Sequence, residues 1–377
     1  MRHVAIGQAL FCFGFGLGRM AGQLDNCSLA GKDLSAGAFA PIVIVRHTER
    51  GVHMEYRRLG SSGLQVSALG IGTNSFGGRA DEAASLRIID AVLDAGINFI
   101  DTANIYTNTE SERIIGKALE GRRHDVVLAT KAGLPRGQGP NEQGASRYHL
   151  MKELEGSLKR LRTDYVDLYQ IHTFDPNTPL EETLRALDDM VRAGKVRYIG
   201  ASNYFAWELM KALGISEREG LNRFVSLQVS YSLADRTPER EMIPLCLDQG
   251  LGIIPYFPLA GGILTGKYTT ADRVPAGSRL EKDPRFAEKL KNDKIALGQQ
   301  VAGLAAELGV EPGVLSIAWL MNKPAVSTVI VGASRVEQVQ ANLQSASLKL
   351  DDSTMAKLDE LSDPFRLGEP FGWYRLQ

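Results

Sequence analysis

The chain has 377 residues, enough for two domains or for one α/β barrel, which typically takes about 250 residues. Its 43 basic and 44 acidic residues give a formal net charge of -1 without any basic block, which argues against nucleic-acid binding through phosphate contacts. The three cysteines, Cys12, Cys27 and Cys246, lie too far apart in the sequence for a metal-binding motif, and their small number is typical of a reducing compartment.

The first 53 residues lack the pattern of the rest of the chain. Residues 4–18 are apolar but rich in glycine, and they are shorter than the roughly 20 residues that a bilayer span requires. No clear cleavage site of small residues follows them, as a signal peptide would need. We therefore predict that residues 1–53 form an extension that is disordered or results from a mis-assigned start, with Met54 as the working start. A targeting peptide is the alternative.

From Met54 onward the pattern is regular. Residues 56–59 and 64–67, joined by Gly-Ser-Ser-Gly, predict a small β-hairpin. Beyond the hairpin, eight short apolar segments predict strands, at 68–72, 98–101, 126–130, 166–172, 196–201, 225–229, 252–256 and 326–331. Helical patterns lie between them, for example at 82–95, 111–119, 147–161, 180–193 and 243–249.

Apolar strands that alternate with helices indicate a parallel sheet buried on both faces. Eight right-handed crossovers in succession close such a sheet into a barrel. We therefore predict the α/β class and, over residues 54–377, a single (β/α)8 TIM barrel with an N-terminal β-hairpin. Residues 351–361 predict an extra C-terminal helix.

Active sites of such barrels are built at the C-terminal ends of the strands. Three predicted strand ends carry Asp101, Lys131 and His172, and Tyr106 follows Asp101 by five positions. Each residue alone has an ordinary explanation, such as a helix cap or a solvated side chain. Together they suit proton transfer to a developing alkoxide. A tyrosine pKa of about 10 is too high for efficient proton donation, but a nearby ammonium held by a carboxylate lowers it.

The order Asp101-x4-Tyr106, Lys131 and His172 resembles the catalytic tetrad of the aldo-keto reductase superfamily, and the resemblance covers about residues 55–362. It implies that Tyr106 is the general acid, that Lys131 tunes it, that Asp101 supports Lys131 and that His172 orients the substrate carbonyl. The segments around 191–200 and 258–262 look most like bacterial reductases related to the potassium-channel β subunits.

The resemblance also implies NADPH as the cofactor. The nicotinamide contacts that it implies are Ser202, Asn203, Gln228 and Tyr256. The pyrophosphate contacts are Pro258, Leu259, Gly261, Leu264, Gly266 and Lys267. The contacts at the adenosine phosphate are Gly332, Ser334, Arg335, Gln338 and Asn342. No Asp or Glu occupies 332–336, where a carboxylate would bind a 2′-hydroxyl, so the local charge favours NADPH over NADH.

Two positions depart from the family pattern. Thr107 stands where a glycine frequently follows the tyrosine, and Phe257 stands where a serine is common. The first alters the loop beside the catalytic phenol, and the second removes a hydroxyl near the pyrophosphate. Neither belongs to the tetrad, so we expect them to affect substrate shape and cofactor affinity.

We predict a cytoplasmic, NAD(P)H-dependent oxidoreductase that reduces an aldehyde or ketone to an alcohol, with no metal, nucleic acid or membrane as a partner. The alternative is a redox-sensing regulatory subunit that binds the cofactor but turns over little. A metal-dependent barrel hydrolase would need several strand-end histidines or carboxylates, and His172 is the only predicted strand-end histidine. The physiological substrate and the oligomeric state stay open.

Overall fold

The computed structural model describes residues 44–47, 53–270, 281 and 290–367. Most of the predicted extension, residues 1–53, lies outside the described residues, so the domain boundary at Met54 stays a prediction. Three short antiparallel strands come first in the described chain: β1 (Ile44–His47), β2 (His53–Arg58) and β3 (Gln65–Ser67).

The predicted hairpin is formed by β2 and β3, with Tyr56 paired to Ser67. Its buried Leu59 and Val66 belong to an apolar cluster that also contains interior residues of the barrel strands. The turn leaves no room for a side chain, because a Cβ on Gly60 would lie 2.5 Å from the carbonyl oxygen of Gly250. Gly250 lies just before the barrel strand that begins at Gly252, so the hairpin covers the N-terminal end of the barrel, opposite the predicted active site.

Eight parallel strands form the second sheet, as predicted: β4 (Leu69–Gly72), β5 (Phe99–Asp101), β6 (Val127–Ala132), β7 (Val166–Ile171), β8 (Val196–Ser202), β9 (Phe224–Ser230), β10 (Gly252–Tyr256) and β11 (Val329–Gly332). Their order is β10-β9-β8-β7-β6-β5-β4-β11. The segment before β11 returns to β10, where the Ile253 N–H donates to the Ala325 carbonyl and the Ser327 N–H to the Ile253 carbonyl. The sheet is therefore a nearly closed barrel.

Ten α-helices lie in the described part of the chain: α1 (Glu82–Asp94), α2 (Glu110–Ala118), α3 (Arg147–Leu161), α4 (Leu180–Arg192), α5 (Ala206–Glu219), α6 (Met242–Gln249), α7 (Asn292–Glu307), α8 (Pro312–Met321), α9 (Val336–Ser347) and α10 (Asp352–Ser362). Side chains cap several of them at the first turn. Asp81 accepts from the Ala84 N–H, and Asp351 accepts from the Thr354 N–H.

The predicted C-terminal helix is α10, and a buried arginine anchors it to the barrel. Arg236, in the loop after β9, donates from Nη1 to the Asp359 carbonyl at 2.6 Å. The indole N–H of Trp319 on α8 donates to the Asp359 side chain at 2.8 Å. These contacts hold α10 against α8 and against the loop that follows β9.

No single helix of the described residues is long and apolar enough to cross a membrane. Only α7 and α8 taken together meet the criteria of length and composition, as a pair bent by 94°.

Candidate active site

The barrel brings the three predicted strand-end residues to one rim. Asp101 ends β5, Lys131 is the last but one residue of β6, and His172 follows β7 directly. All three are buried, and Lys131 has no exposed surface. A buried lysine needs fixed partners for its charge, so its surroundings define the chemistry of the site.

Lys131 has three acceptors around its ammonium group, which matches its three N–H donors. Nζ donates to Asp101 Oδ2 at 2.6 Å, to the Thr102 carbonyl at 2.8 Å and to the Tyr106 hydroxyl at 3.3 Å. Burial lowers the pKa of Lys131, whereas Asp101 opposes this shift by pairing with the charged form. A hydrogen bond donated to the phenolic oxygen stabilises negative charge there. The ion pair is therefore placed to help Tyr106 release its proton.

His172 lies beside the tyrosine. The two ring centroids are 6.0 Å apart, and the rings meet edge to face at 78°. Burial, together with the positive charge of Lys131, holds the pKa of His172 well below its usual value of 6.5. The imidazole is consequently neutral near pH 7, and a neutral imidazole has one N–H to donate. That donor suits a carbonyl oxygen placed between the two rings.

The second oxygen of Asp101 accepts from two amides. Gln228 Nε2 donates to Asp101 Oδ1 at 2.9 Å, and Gln170 Nε2 donates to the same atom at 3.2 Å. Sequence analysis selected Gln228 and missed Gln170. The available signal was its position in β7 two residues before His172, because alternate residues of a strand face the same side.

The residues predicted to bind the nicotinamide also lie together. Asn203 Nδ2 donates to the His172 carbonyl at 2.8 Å, and Asn203 Oδ1 accepts from the Tyr256 hydroxyl at 2.6 Å. Ser202 Oγ donates to the Gln228 carbonyl at 3.0 Å. These bonds join the ends of β7, β8, β9 and β10 into one wall, with the Tyr256 ring only partly buried at its edge.

The predicted pyrophosphate loop follows β10 and turns tightly. Phe257 and Ala260 have positive φ values of 54° and 46°, and Gly261, Gly262 and Gly266 have φ values of 70°, 99° and 73°. The N–H groups of Ala260, Gly262 and Gly266 donate to carbonyls within the loop, so these left-handed residues fold it into consecutive tight turns. Pro258 and Leu264 are buried beneath the loop, and Leu259 is partly buried.

A pair of cations marks the predicted phosphate end of the site. Burial lowers the pKa of Lys267, and the positive charge of Arg335 lowers it further. Arg335 is the N-cap residue of α9, directly after Ser334. The Ser334 N–H donates to Gln338 Oε1 at 2.8 Å, and Asn342 follows Gln338 by one helical turn. Gly332 ends β11 with an exposed backbone. Arg335 thus lies at a helix start, where N–H groups favour an anion, and its positive charge acts on Lys267 in the loop after β10.

Comparison with known protein families matches residues 68–363 to the Aldo/keto reductase family. The chain belongs to the aldo/keto reductase family. It is 41% identical over 319 residues to the uncharacterized oxidoreductase YrpG of Bacillus subtilis, covering 82% of this chain and 96% of the relative. It is 36% identical over 337 residues to the versiconal hemiacetal acetate reductase of Aspergillus parasiticus, covering 81% of this chain and 96% of the relative.

A third relative is named as a potassium-channel subunit, not as an enzyme. The chain is 40% identical over 300 residues to a probable voltage-gated potassium channel subunit beta of Oryza sativa, covering 78% of this chain and 91% of the relative. The resemblance to the aldo/keto reductases and to the potassium-channel β subunits is thus confirmed. Membership of the family makes the chain an oxidoreductase of the carbonyl-reducing type, and the family generally uses a nicotinamide cofactor.

One departure from the family pattern has a structural consequence in this aldo/keto reductase. Thr107, Asn108 and Thr109, directly after Tyr106, all have positive φ values of 45°, 53° and 79°. Such values cost a β-branched residue about 1–2 kcal/mol. Thr107 offsets part of this cost because its hydroxyl donates to the Phe76 carbonyl at 2.5 Å.

The charged side chains at the rim of the barrel can also be compared with metal-binding arrangements. Within the described ranges, no group of three or more His, Cys, Asp or Glu side chains is arranged to hold a metal ion. At the centre of the site, Lys131 Nζ forms an ion pair with Asp101 Oδ2 at 2.6 Å.

Proposed function

We propose that the protein is an NADPH-dependent reductase that converts an aldehyde or a ketone to an alcohol, with Tyr106 as the general acid. One observation carries the proposal: Lys131 Nζ contacts the Tyr106 hydroxyl at 3.3 Å and Asp101 Oδ2 at 2.6 Å. An ammonium between a carboxylate and a phenol supports one particular event, the release of the phenolic proton.

The donor set of the site fits a dinucleotide with a 2′-phosphate. Asn203, Gln228 and the Tyr256 ring would hold the nicotinamide, and Lys267 and Arg335 would hold the phosphates. The position of Arg335 at the start of α9, where N–H groups favour a phosphate, supports this assignment. When bound, the cofactor supplies a hydride to the carbonyl carbon.

The remaining steps belong to the side chains of the chain itself. His172, neutral near pH 7, donates its N–H to the substrate oxygen and orients it. Tyr106 then gives its proton to that oxygen as negative charge develops on it. Lys131 stabilises the phenolate that remains, and Asp101 keeps Lys131 charged against the cost of burial.

The first test replaces the acid. We expect Tyr106→Phe to lower kcat by about 10²–10⁴, the usual range for a lost general acid, while NADPH binding stays near normal. Oxidation of NADPH in the presence of nitrobenzaldehyde, followed by absorbance, measures it. Tyr148→Phe is the matched control, since Tyr148 is 64% exposed on α3. Turnover like that of the wild type in Tyr106→Phe would remove Tyr106 from the proposed role.

The second test concerns the choice of NADPH. Arg335 offers a planar guanidinium suited to a phosphate dianion, and a charge-assisted contact contributes roughly 1.5–3 kcal/mol. We therefore expect Arg335→Ala to weaken NADPH binding by about one to two decades and to leave NADH binding nearly unchanged. Titration of both cofactors into both proteins measures this. Equal losses for NADH and NADPH would show that Arg335 does not bind the 2′-phosphate.

The redox-sensing alternative is supported by relatives with potassium-channel names, including a probable subunit beta of Arabidopsis thaliana that is 38% identical over 305 residues. A sensor needs the cofactor wall but not efficient proton delivery. Steady turnover of a simple carbonyl supports the enzyme, whereas bound cofactor with negligible turnover supports the sensor. As an enzyme it would work in the cytoplasm, where an NADPH pool is available.

A further inference from the structure

Asp101, Gln170 and Gln228 form a closed triangle of hydrogen bonds inside the barrel. Both glutamines donate to Asp101 Oδ1, and Gln228 Nε2 also donates to Gln170 Oε1 at 3.3 Å. Gln170 has no exposed surface, and Gln228 is 2% exposed. The three residues come from β5, β7 and β9. Alternate strands of a parallel barrel supply the side chains of one interior layer.

The neighbouring strand is shaped for this triangle. Gly200 of β8 pairs with Gln170 of β7. A Cβ at Gly200 would lie 3.2 Å from Cγ of Gln170 and 2.6 Å from Oγ of Ser226. The glycine therefore leaves room for the Gln170 side chain to extend over β8. Interior layers of these barrels are filled mainly by branched apolar residues, so packing alone does not explain a buried glutamine here.

The chemistry of the triangle determines which way each amide faces. An ionised carboxylate only accepts hydrogen bonds, so both glutamines must present their NH2 groups to Asp101. The second N–H of Gln228 then goes to Gln170 Oε1. Both donors of Gln228 are thereby used inside the triangle, and its Oε1 faces away from Asp101. That oxygen is the atom which the NH2 group of a nicotinamide carboxamide would need as an acceptor.

We propose that Gln170 is a positioning residue that fixes both Asp101 of the proton-delivering set and the Gln228 acceptor for the nicotinamide carboxamide. This inference rests on the proposed function, because it assigns a task to the same site. Gln170 itself bonds neither to Lys131 nor to Tyr106 among the contacts of the described residues. It acts by holding one oxygen of Asp101 while the other oxygen holds Lys131.

The first experiment uses Gln170→Glu, which keeps the shape and replaces an amide donor by a second carboxyl group. Two carboxyl groups about 3 Å apart cannot both ionise easily, so the pair retains a proton at acidic pH and the O–H takes over the lost donor. At pH values at which both carboxyl groups are ionised, the contact between the new glutamate and Asp101 becomes repulsive. We expect kcat/KM relative to the wild type to fall by about tenfold per pH unit there. A relative kcat/KM that is constant with pH would overturn the proposal.

The second experiment measures binding and does not need turnover. Gln170→Leu removes both hydrogen bonds of the side chain. NADPH is compared with its 3-acetylpyridine analogue, which lacks the carboxamide NH2 group. We expect the preference of the wild type for NADPH over the analogue to fall by about three- to tenfold in Gln170→Leu, the effect of one misplaced neutral hydrogen bond. An unchanged preference would contradict the assignment.

The matched control is Tyr169→Phe, the neighbouring position of β7. Its hydroxyl donates to the Leu150 carbonyl at 3.2 Å, on the other face of the strand. The control loses a buried hydrogen bond without touching the triangle, so its pH profile and its cofactor preference should match the wild type. If the wild type does not turn over any carbonyl, the proposed function fails. The binding comparison still decides the role of Gln170.

Discussion

The buried ion pair allows a prediction about stability whose size follows from the structure. Asp101→Asn removes the carboxylate that accepts from Lys131 at 2.6 Å while keeping the side chain nearly isosteric. The asparagine can turn its oxygen to Lys131, and its NH2 group then faces the two glutamines. Lys131 is left fully buried without a counter-ion, which is unfavourable for an ammonium.

The cost has an upper limit because Lys131 can lose its proton. Each pKa unit corresponds to about 1.4 kcal/mol, and the ordinary lysine pKa is 10.5. Neutralising Lys131 at pH 7 therefore costs no more than about 5 kcal/mol. Loss of one partner of a buried ion pair typically costs about 3–5 kcal/mol. We expect Asp101→Asn to lower the free energy of unfolding at pH 7 by about 3–5 kcal/mol.

The stability loss in Asp101→Asn should also depend on pH. Burial already lowers the pKa of Lys131 in the folded wild type, and without Asp101 the pKa in the folded variant should lie further below the value of 10.5 in the unfolded chain. The unfolded state then binds more protons between these two values, so stability rises with pH in that range. The deficit of Asp101→Asn should consequently narrow as the pH rises from 7 to the pKa of Lys131 in the folded wild type, above which both proteins gain stability in parallel.

Urea unfolding followed by tryptophan fluorescence measures both effects. The control is the double variant Asp101→Asn/Lys131→Met, which removes the unpaired amine and should regain at least half of the loss. A deficit below about 1 kcal/mol, or one that does not change with pH, would refute the view that Asp101 is the counter-ion that keeps Lys131 charged.

Four further predictions concern stability. His172 resists protonation in the folded state, so the unfolding free energy should fall as the pH drops below 6.5, and His172→Gln should reduce this slope by up to about 1.4 kcal/mol per pH unit. Gly116→Ala should destabilise by about 1–3 kcal/mol, because its Cβ would lie 2.4 Å from the Arg160 carbonyl oxygen. Gly303→Ala, a helical glycine with open space around it, should instead stabilise by roughly 0.5–1 kcal/mol. Thr107→Gly should be more stable than Thr107→Ala by about 1–2 kcal/mol, since only glycine accepts the positive φ without strain. Urea unfolding measures all of these. An unchanged pH slope in His172→Gln, or equal stabilities within the glycine pair or within the Thr107 pair, would contradict the corresponding argument.

The sequence by itself determined the fold, because the signals for it are local. Apolar segments that alternate with helical patterns predict the number and type of elements. Each of the eight predicted strands overlaps one strand of the barrel, although the last prediction, 326–331, starts before its strand. Boundaries moved by a few residues: β11 begins at Val329, because residues 325–327 bond to β10 before the strand starts. The position of Tyr106 five residues after Asp101 is equally local, since a short loop leaves a side chain near the end of its strand.

Only the tertiary structure decided which side chains touch. The triangle of Asp101, Gln170 and Gln228 needs residues far apart in sequence to meet in one layer. That meeting depends on the register between strands and on the space left by neighbours such as Gly200. The bonds of residues 325–327 to β10, which nearly close the barrel, likewise join segments far apart in sequence. Periodicity places a residue on a face of its own strand or helix, whereas contacts across the barrel depend on how all the strands pack together.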